Sequence, residues 1–81
     1  MAKVVRKVKI SSVEDVKNFV NSITRFEGSV DLGNGHYIVD AKSIMGVFSL
    51  DLSQAHDLSF DAESEDACKA VLDSIAQYIV G

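Results

Sequence analysis

DAKSIMGVFSLDL, residues 40–52, places Ser43 at a helix start and then crowds Ile44, Met45, Val47, Phe48, Leu50 and Leu52 into very few turns. Serine is a preferred helix cap because its hydroxyl accepts from an amide that the first turn leaves unpaired. At 100° per residue, Val47 and Leu50 fall on one side of the helix, while Ile44, Met45 and Phe48 gather on the other. One short helix cannot turn all of them inward. The expectation is that Val47 and Leu50 enter the core and that Ile44, Met45 and Phe48 form an outward patch, entered past Lys42.

Outward from this stretch the periodicities are simpler. Upstream, residues 29–32 and 37–41 read as two short strands around Gly33-Asn34-Gly35, and Asn-Gly supplies the positive φ values of a tight hairpin turn. Before them Ser11 and Ser12 precede Glu14 and Asp15, followed by Val13, Val16, Val20 and Ile23 at helical spacing with Phe19 beside them. That predicts an amphipathic helix ending near Arg25. Residues 4–10 read as a strand with Val8 and Ile10 on one face and Lys7 and Lys9 on the other. Downstream, Leu58, Phe60 and Ala62 alternate with Ser59, Asp61 and Glu63. Ser64 then caps a last helix, with Glu65 and Asp66 in its first turn and one stripe made of Cys68, Val71, Leu72, Ile75, Tyr78 and Ile79.

The resulting order, β-α-β-β-α-β-α, joins strands with one wet face to three one-sided helices. It predicts an α+β sandwich, an antiparallel sheet with the helices packed on one face. Pattern leaves the strand order open, since a ferredoxin-like split βαβ has the same first six elements. The expected core includes Val16, Phe19, Val20, Val47, Leu50, Phe60, Val71, Leu72 and Ile75.

Composition bounds the rest. The 81 residues, 47% hydrophobic and without proline, predict a single domain spanning residues 1–81 with little spare core. Eight basic residues against twelve acidic ones give a net charge of −4, which argues against nucleic acid or an anionic membrane as partner. Lys3, Arg6, Lys7 and Lys9 are the local exception, read as a solvated strand face or a guard against edge pairing. The charged N-terminus does not resemble a signal peptide, and a single cysteine, Cys68, agrees with a reducing compartment, so the expected location is cytoplasmic. Cys68, His36 and His56 lack metal-ligand spacing, and neither a cofactor nor a small-molecule substrate is expected. His36 and His56 are both expected in exposed loops. His56-Asp57 could pair as a base and its orienter, but no nucleophile completes a triad, and the chain is not read as an enzyme.

Lys42-Ser43-Ile44-Met45-Gly46-Val47 and Ser49-Leu50 resemble, residue for residue, the K-S-I-M-G-V-M-S-L run in the second helix of Gram-positive HPr proteins. HPr is the small phosphocarrier of the bacterial sugar phosphotransferase system. Element order, length and hairpin position agree over essentially the whole chain, and the resemblance implies the HPr sheet order 1-4-2-3. It also implies a departure. HPr proteins carry a phosphoryl group on a histidine at the cap of the first helix, in a word such as Gly-Ile/Leu-His-Ala/Thr-Arg-Pro-Ala, where this chain has Ile10-Ser11-Ser12-Val13-Glu14-Asp15-Val16. Ser12 aligns with the histidine, Glu14 with the arginine and Asp15 with the proline. An unassisted hydroxyl is a poor nucleophile at neutral pH, and two carboxylates beside it repel a phosphoryl group.

The resemblance therefore implies a histidine-less, non-catalytic member that acts by binding protein, similar to catabolite-repression homologues of HPr that bind a transcriptional regulator. Ser43 matches the serine that a dedicated HPr kinase phosphorylates in Gram-positive members; such a phosphate would meet the amides of the helix start beside Lys42. Lys42, Ile44, Met45 and Phe48 are the expected partner-binding residues. Two other readings stay open: a phosphocarrier using His36 or His56, and a divergent paralogue with an unknown partner.

Overall fold

The computed structural model describes residues 2–80. Ser12, Ser43 and Ser64 each open a helix. Ser12 precedes α1 (Val13–Ile23), Ser43 precedes α2 (Ile44–Phe48) and Ser64 precedes α3 (Glu65–Ser74); each Oγ accepts at 3.1 Å from the amide three residues on, that of Asp15, Gly46 or Ala67. Glu14 and Asp15, and later Glu65 and Asp66, add charge that suits the positive end of a helix.

The strands β1 (Ala2–Val8), β2 (Val30–Gly33), β3 (Ile38–Asp40) and β4 (His56–Ala62) form one antiparallel sheet in the order β1-β4-β2-β3. The register puts Val4 and Val30 beside Phe60, Leu32 beside Leu58, and Val8 beside His56, so their side chains share the helix-covered face. Along β4 the alternation is clean: His56, Leu58, Phe60 and Ala62 are buried, and Asp57 and Asp61 are exposed. Val16, Phe19, Val20 and Ile23 of α1 close the core from above with Val71 of α3, and Ile75 follows. The Phe19 ring meets Tyr78 edge-on at 5.8 Å, and Phe26 meets Phe60 at 5.4 Å. The α+β sandwich with three helices and the strand order implied by the HPr resemblance are both present.

Several local expectations need correction. The last helix ends at Ser74, and a 3-10 turn, Ala76–Tyr78, follows. Ile79 lies beyond both and bridges Val8 in antiparallel fashion, so the apolar stripe continues into an extended segment beside β1. Leu72 and Cys68, expected inside, are half-buried against the core. The hairpin is not built on positive φ at Asn34 and Gly35; among the described residues only Gly33 has positive φ, at 159°. Asn34 instead uses its side chain, Oδ1 accepting from the amides of His36 at 3.0 Å and Tyr37 at 3.2 Å, an Asx turn closed by the backbone bonds that Asn34 and Tyr37 exchange at 3.1 and 3.3 Å. Gly33 is required by close approach: a Cβ there would lie 2.1 Å from the Tyr37 carbonyl oxygen.

His56 is the largest departure. Expected in an exposed loop, it begins β4 and is 6% exposed. It occupies an inward position of the same alternation as Leu58 and Phe60, and that phase outweighs the polarity of one imidazole.

Candidate functional site

The α2 stretch divides as its periodicity requires on the core side and less simply on the other. Val47 is fully buried and Leu50 nearly so, while Met45 is 78% exposed and Ile44 is 38% exposed. Phe48, expected outward, is half-buried and packs against the core from the last position of the five-residue α2. Lys42 is also half-buried. Its ammonium donates to the Phe26 carbonyl and lies 5.9 Å from the centre of the Phe26 ring, so it is turned toward the end of α1 and away from α2.

Ser43 is fixed on three sides. Its amide donates to the Asp40 carbonyl at 3.0 Å, its carbonyl accepts from Val47 at 2.9 Å, and its Oγ accepts from Gly46 at 3.1 Å. The hydroxyl proton remains free to donate elsewhere, since acceptance from Gly46 uses only a lone pair. Gly46 lets α2 approach β3 closely: a Cβ would stand 3.3 Å from the Cβ atoms of both Ser43 and Val39. At the far end Ser49 Oγ donates to the Gly46 carbonyl at 2.6 Å, which leaves it to accept from the Tyr37 hydroxyl at 2.9 Å. Tyr37, itself half-exposed, thus ties the loop between β2 and β3 to the end of α2.

The cap of α1 is a separate place. Ser12 is exposed, its Oγ engaged by the Asp15 amide, with Val13 and Glu14 exposed beyond it. The first turn of α1 carries two acids, Glu14 and Asp15. His36 is exposed on the loop between β2 and β3, and His56 is buried, its Nε2 2.8 Å from the Asp51 carbonyl oxygen. A carbonyl only accepts, so His56 carries a proton on Nε2, and Nδ1 is buried without a partner among the described residues. Asp57 points from the opposite face of the sheet and pairs with Lys7 at 4.0 Å, so it does not orient His56. Asp51 Oδ1 accepts from the Ser53 hydroxyl at 2.6 Å and the Ser53 amide at 3.0 Å. These bonds, hydroxyl first, hold the Asp51 carboxyl below its ordinary value of 3.8. The buried imidazole that anchors this turn was not anticipated; extending the β4 alternation two residues backward was the signal for it.

Among the described residues no helix is long and apolar enough to cross a membrane. No group of three or more His, Cys, Asp or Glu side chains among them could hold a metal ion.

A sheet ordered β1-β4-β2-β3 under three helices, with a serine-capped α2 beside it, defines a small α+β open-faced sandwich domain. Residues 6–80 match the family described as the PTS HPr component phosphorylation site, and the chain belongs to the HPr family of phosphocarrier-like proteins of the phosphotransferase system. It is similar to HPr-C-His from Thermoanaerobacter tengcongensis, with 29% identity and a TM-score of 0.69 over 95% of this chain and 93% of that one. The fold is also that of a phosphocarrier protein HPr from Bacillus anthracis, at 24% identity and a TM-score of 0.61, over 93% and 99% of the two chains. A multiphosphoryl transfer protein of Haemophilus influenzae is 37% identical over 57 residues, 67% of this chain. The match spans only 11% of that relative's length.

Proposed function

We propose that this HPr-family chain is a regulatory, protein-binding member that does not relay phosphoryl groups. The observation that carries the reading is the cap of α1: a serine hydroxyl already engaged by an amide, with Glu14 and Asp15 in the first turn and no imidazole there. A phosphoryl acceptor needs a nucleophile and positive surroundings, and this cap supplies neither. Binding is assigned to the exposed Ile44 and Met45 of α2, with Met45 suited to adapt to a partner surface. Lys42 and Phe48 act from behind that surface, holding α2 against the end of α1 and the core.

In this reading Ser43 is the point of control. A kinase working on Ser43 Oγ would set two negative charges beside Ile44 and Met45, changing what that surface accepts while Val47 and Leu50 keep α2 in place. The partners in this reading are proteins, an HPr kinase and a transcriptional regulator, met in the cytoplasm. The test has two arms. With ATP and an HPr kinase, the expected outcome is one phosphate, on Ser43, absent from Ser43→Ala. With phosphoenolpyruvate and Enzyme I, no acid-labile phosphate is expected, and its appearance on a histidine overturns the reading. Exposure favours His36 over His56 as the acceptor in that rival case, since both nitrogens of His56 are inaccessible or engaged.

A further inference from the structure

The C-terminal segment reveals which main-chain groups of β1 face away from the sheet. Lys9 N donates to the Tyr78 carbonyl at 2.8 Å, and Val80 N donates to the Lys7 carbonyl at 2.9 Å, flanking the Val8–Ile79 bridge. Lys7 and Lys9 therefore point their peptide groups away from β4. In a ladder of uniform register the same parity continues along the strand, so Lys3 and Val5 also aim amide and carbonyl outward. The edge of β1 thus already holds one short extended segment at its end, and among the described residues nothing else pairs with that edge. Val5 is 48% exposed there, an apolar side chain between Lys3 and Lys7 on the outer face of the strand.

The charges select what fits. Lys3 and Lys7 share the outer face with Val5, while Arg6 lies on the helix side, opposite Leu58, yet is exposed at the edge. Arg6 Nη1 donates at 2.8 Å to the outward carbonyl of Val5, so its guanidinium sits over an acceptor an added strand would use. Basic side chains on an edge repel a second basic edge, which includes the β1 of another copy. An incoming strand with carboxylates reverses that balance: a carboxylate offers the guanidinium a two-point partner and frees the Val5 carbonyl.

We propose that the open half of β1, Lys3 to Arg6, is a second docking surface that takes an extended acidic segment of a partner protein by strand addition. The segment places a carboxylate beside Arg6 on the helix side of the sheet and an apolar residue beside Val5 on the outer face, as strand alternation allows, and it abuts the place where Ile79 is bridged. Arg6 serves as the selectivity element, blocking the edge until an acid draws it off.

The test titrates isotope-labelled protein with two acetylated, amidated five-residue peptides, one alternating glutamate with valine and one alternating lysine with valine, followed by amide chemical shifts. The glutamate peptide is expected to shift residues 3–6 saturably and the lysine peptide to leave them unmoved. Arg6→Glu should weaken the first interaction at least tenfold. Val5→Pro deletes the outward amide without touching a β1–β4 bond and should abolish it; if that variant does not fold, Arg6→Glu carries the comparison. Equal shifts from both peptides, undiminished binding by Arg6→Glu, shifts at residues 44–48 in place of 3–6, or no shift at all would each overturn the proposal.

Discussion

His56 Nε2 lies 2.8 Å from the Asp51 carbonyl oxygen, joining the inner end of β4 to the turn that follows α2. The same carbonyl accepts from Gln54 N at 3.2 Å, so the turn is closed by its own backbone and by an imidazole from beneath.

His56→Ala removes a buried ring and one of those bonds, and is expected to cost about 2–4 kcal/mol. His56→Leu should cost less than half as much: it fills the space, leaves the Asp51 carbonyl its Gln54 partner and abolishes the orphaned Nδ1. Urea unfolding of the two variants checks the order. Equal losses would mean that the hydrogen bond, and not packing, dominates.

The Asp51 carboxyl is held below 3.8 by its bonds from Ser53, the hydroxyl's first and then the amide's. A depressed folded value stabilises the fold above pH 3.8, and that contribution is lost as pH falls through the folded value. Carbon-detected titration should therefore place the Asp51 midpoint below 3.8. In Ser53→Ala the midpoint should return toward 3.8.

Leu50→Ala truncates a core side chain and is expected to cost about 2–5 kcal/mol. Met45→Ala, at a 78% exposed position, should stay within about 0.5 kcal/mol while weakening partner capture. Phe48→Ala should fall between them, because Phe48 is half-buried against the core. Thermal melting beside pull-down of the three variants separates stability from docking. A melt of Met45→Ala as low as that of Leu50→Ala would remove Met45 from the surface role.

Ser12→His alone should not give efficient labelling by Enzyme I, since Glu14 remains exposed beside it on the first turn. Adding Glu14→Arg should raise the signal from that low level. Efficient labelling of the single variant, measured with radioactive phosphoenolpyruvate, would show that charge at position 14 is immaterial.

Helix starts were legible because capping is local: a serine before an apolar period suffices, with acids in the first turn adding to it after Ser12 and Ser64 and none after Ser43, and all three serines cap. The same is true of the order of elements, whose periods of 3.6 and 2 are properties of short windows. The word from Lys42 to Leu50 then named the family, and with it a strand order that periodicity had left open. Tertiary structure decided what windows cannot contain. Lys42 turns from α2 because the Phe26 carbonyl and ring, sixteen residues away in sequence, offer its ammonium a better place. Ile79 leaves the helical stripe because the outward groups of Lys7 and Lys9 recruit its neighbours into the sheet. Phe48 folds inward and His56 is buried because each meets apolar surface brought by a distant strand or helix. Burial is a property of the assembled layers, and a polar ring in the right phase of a strand is carried inside with them.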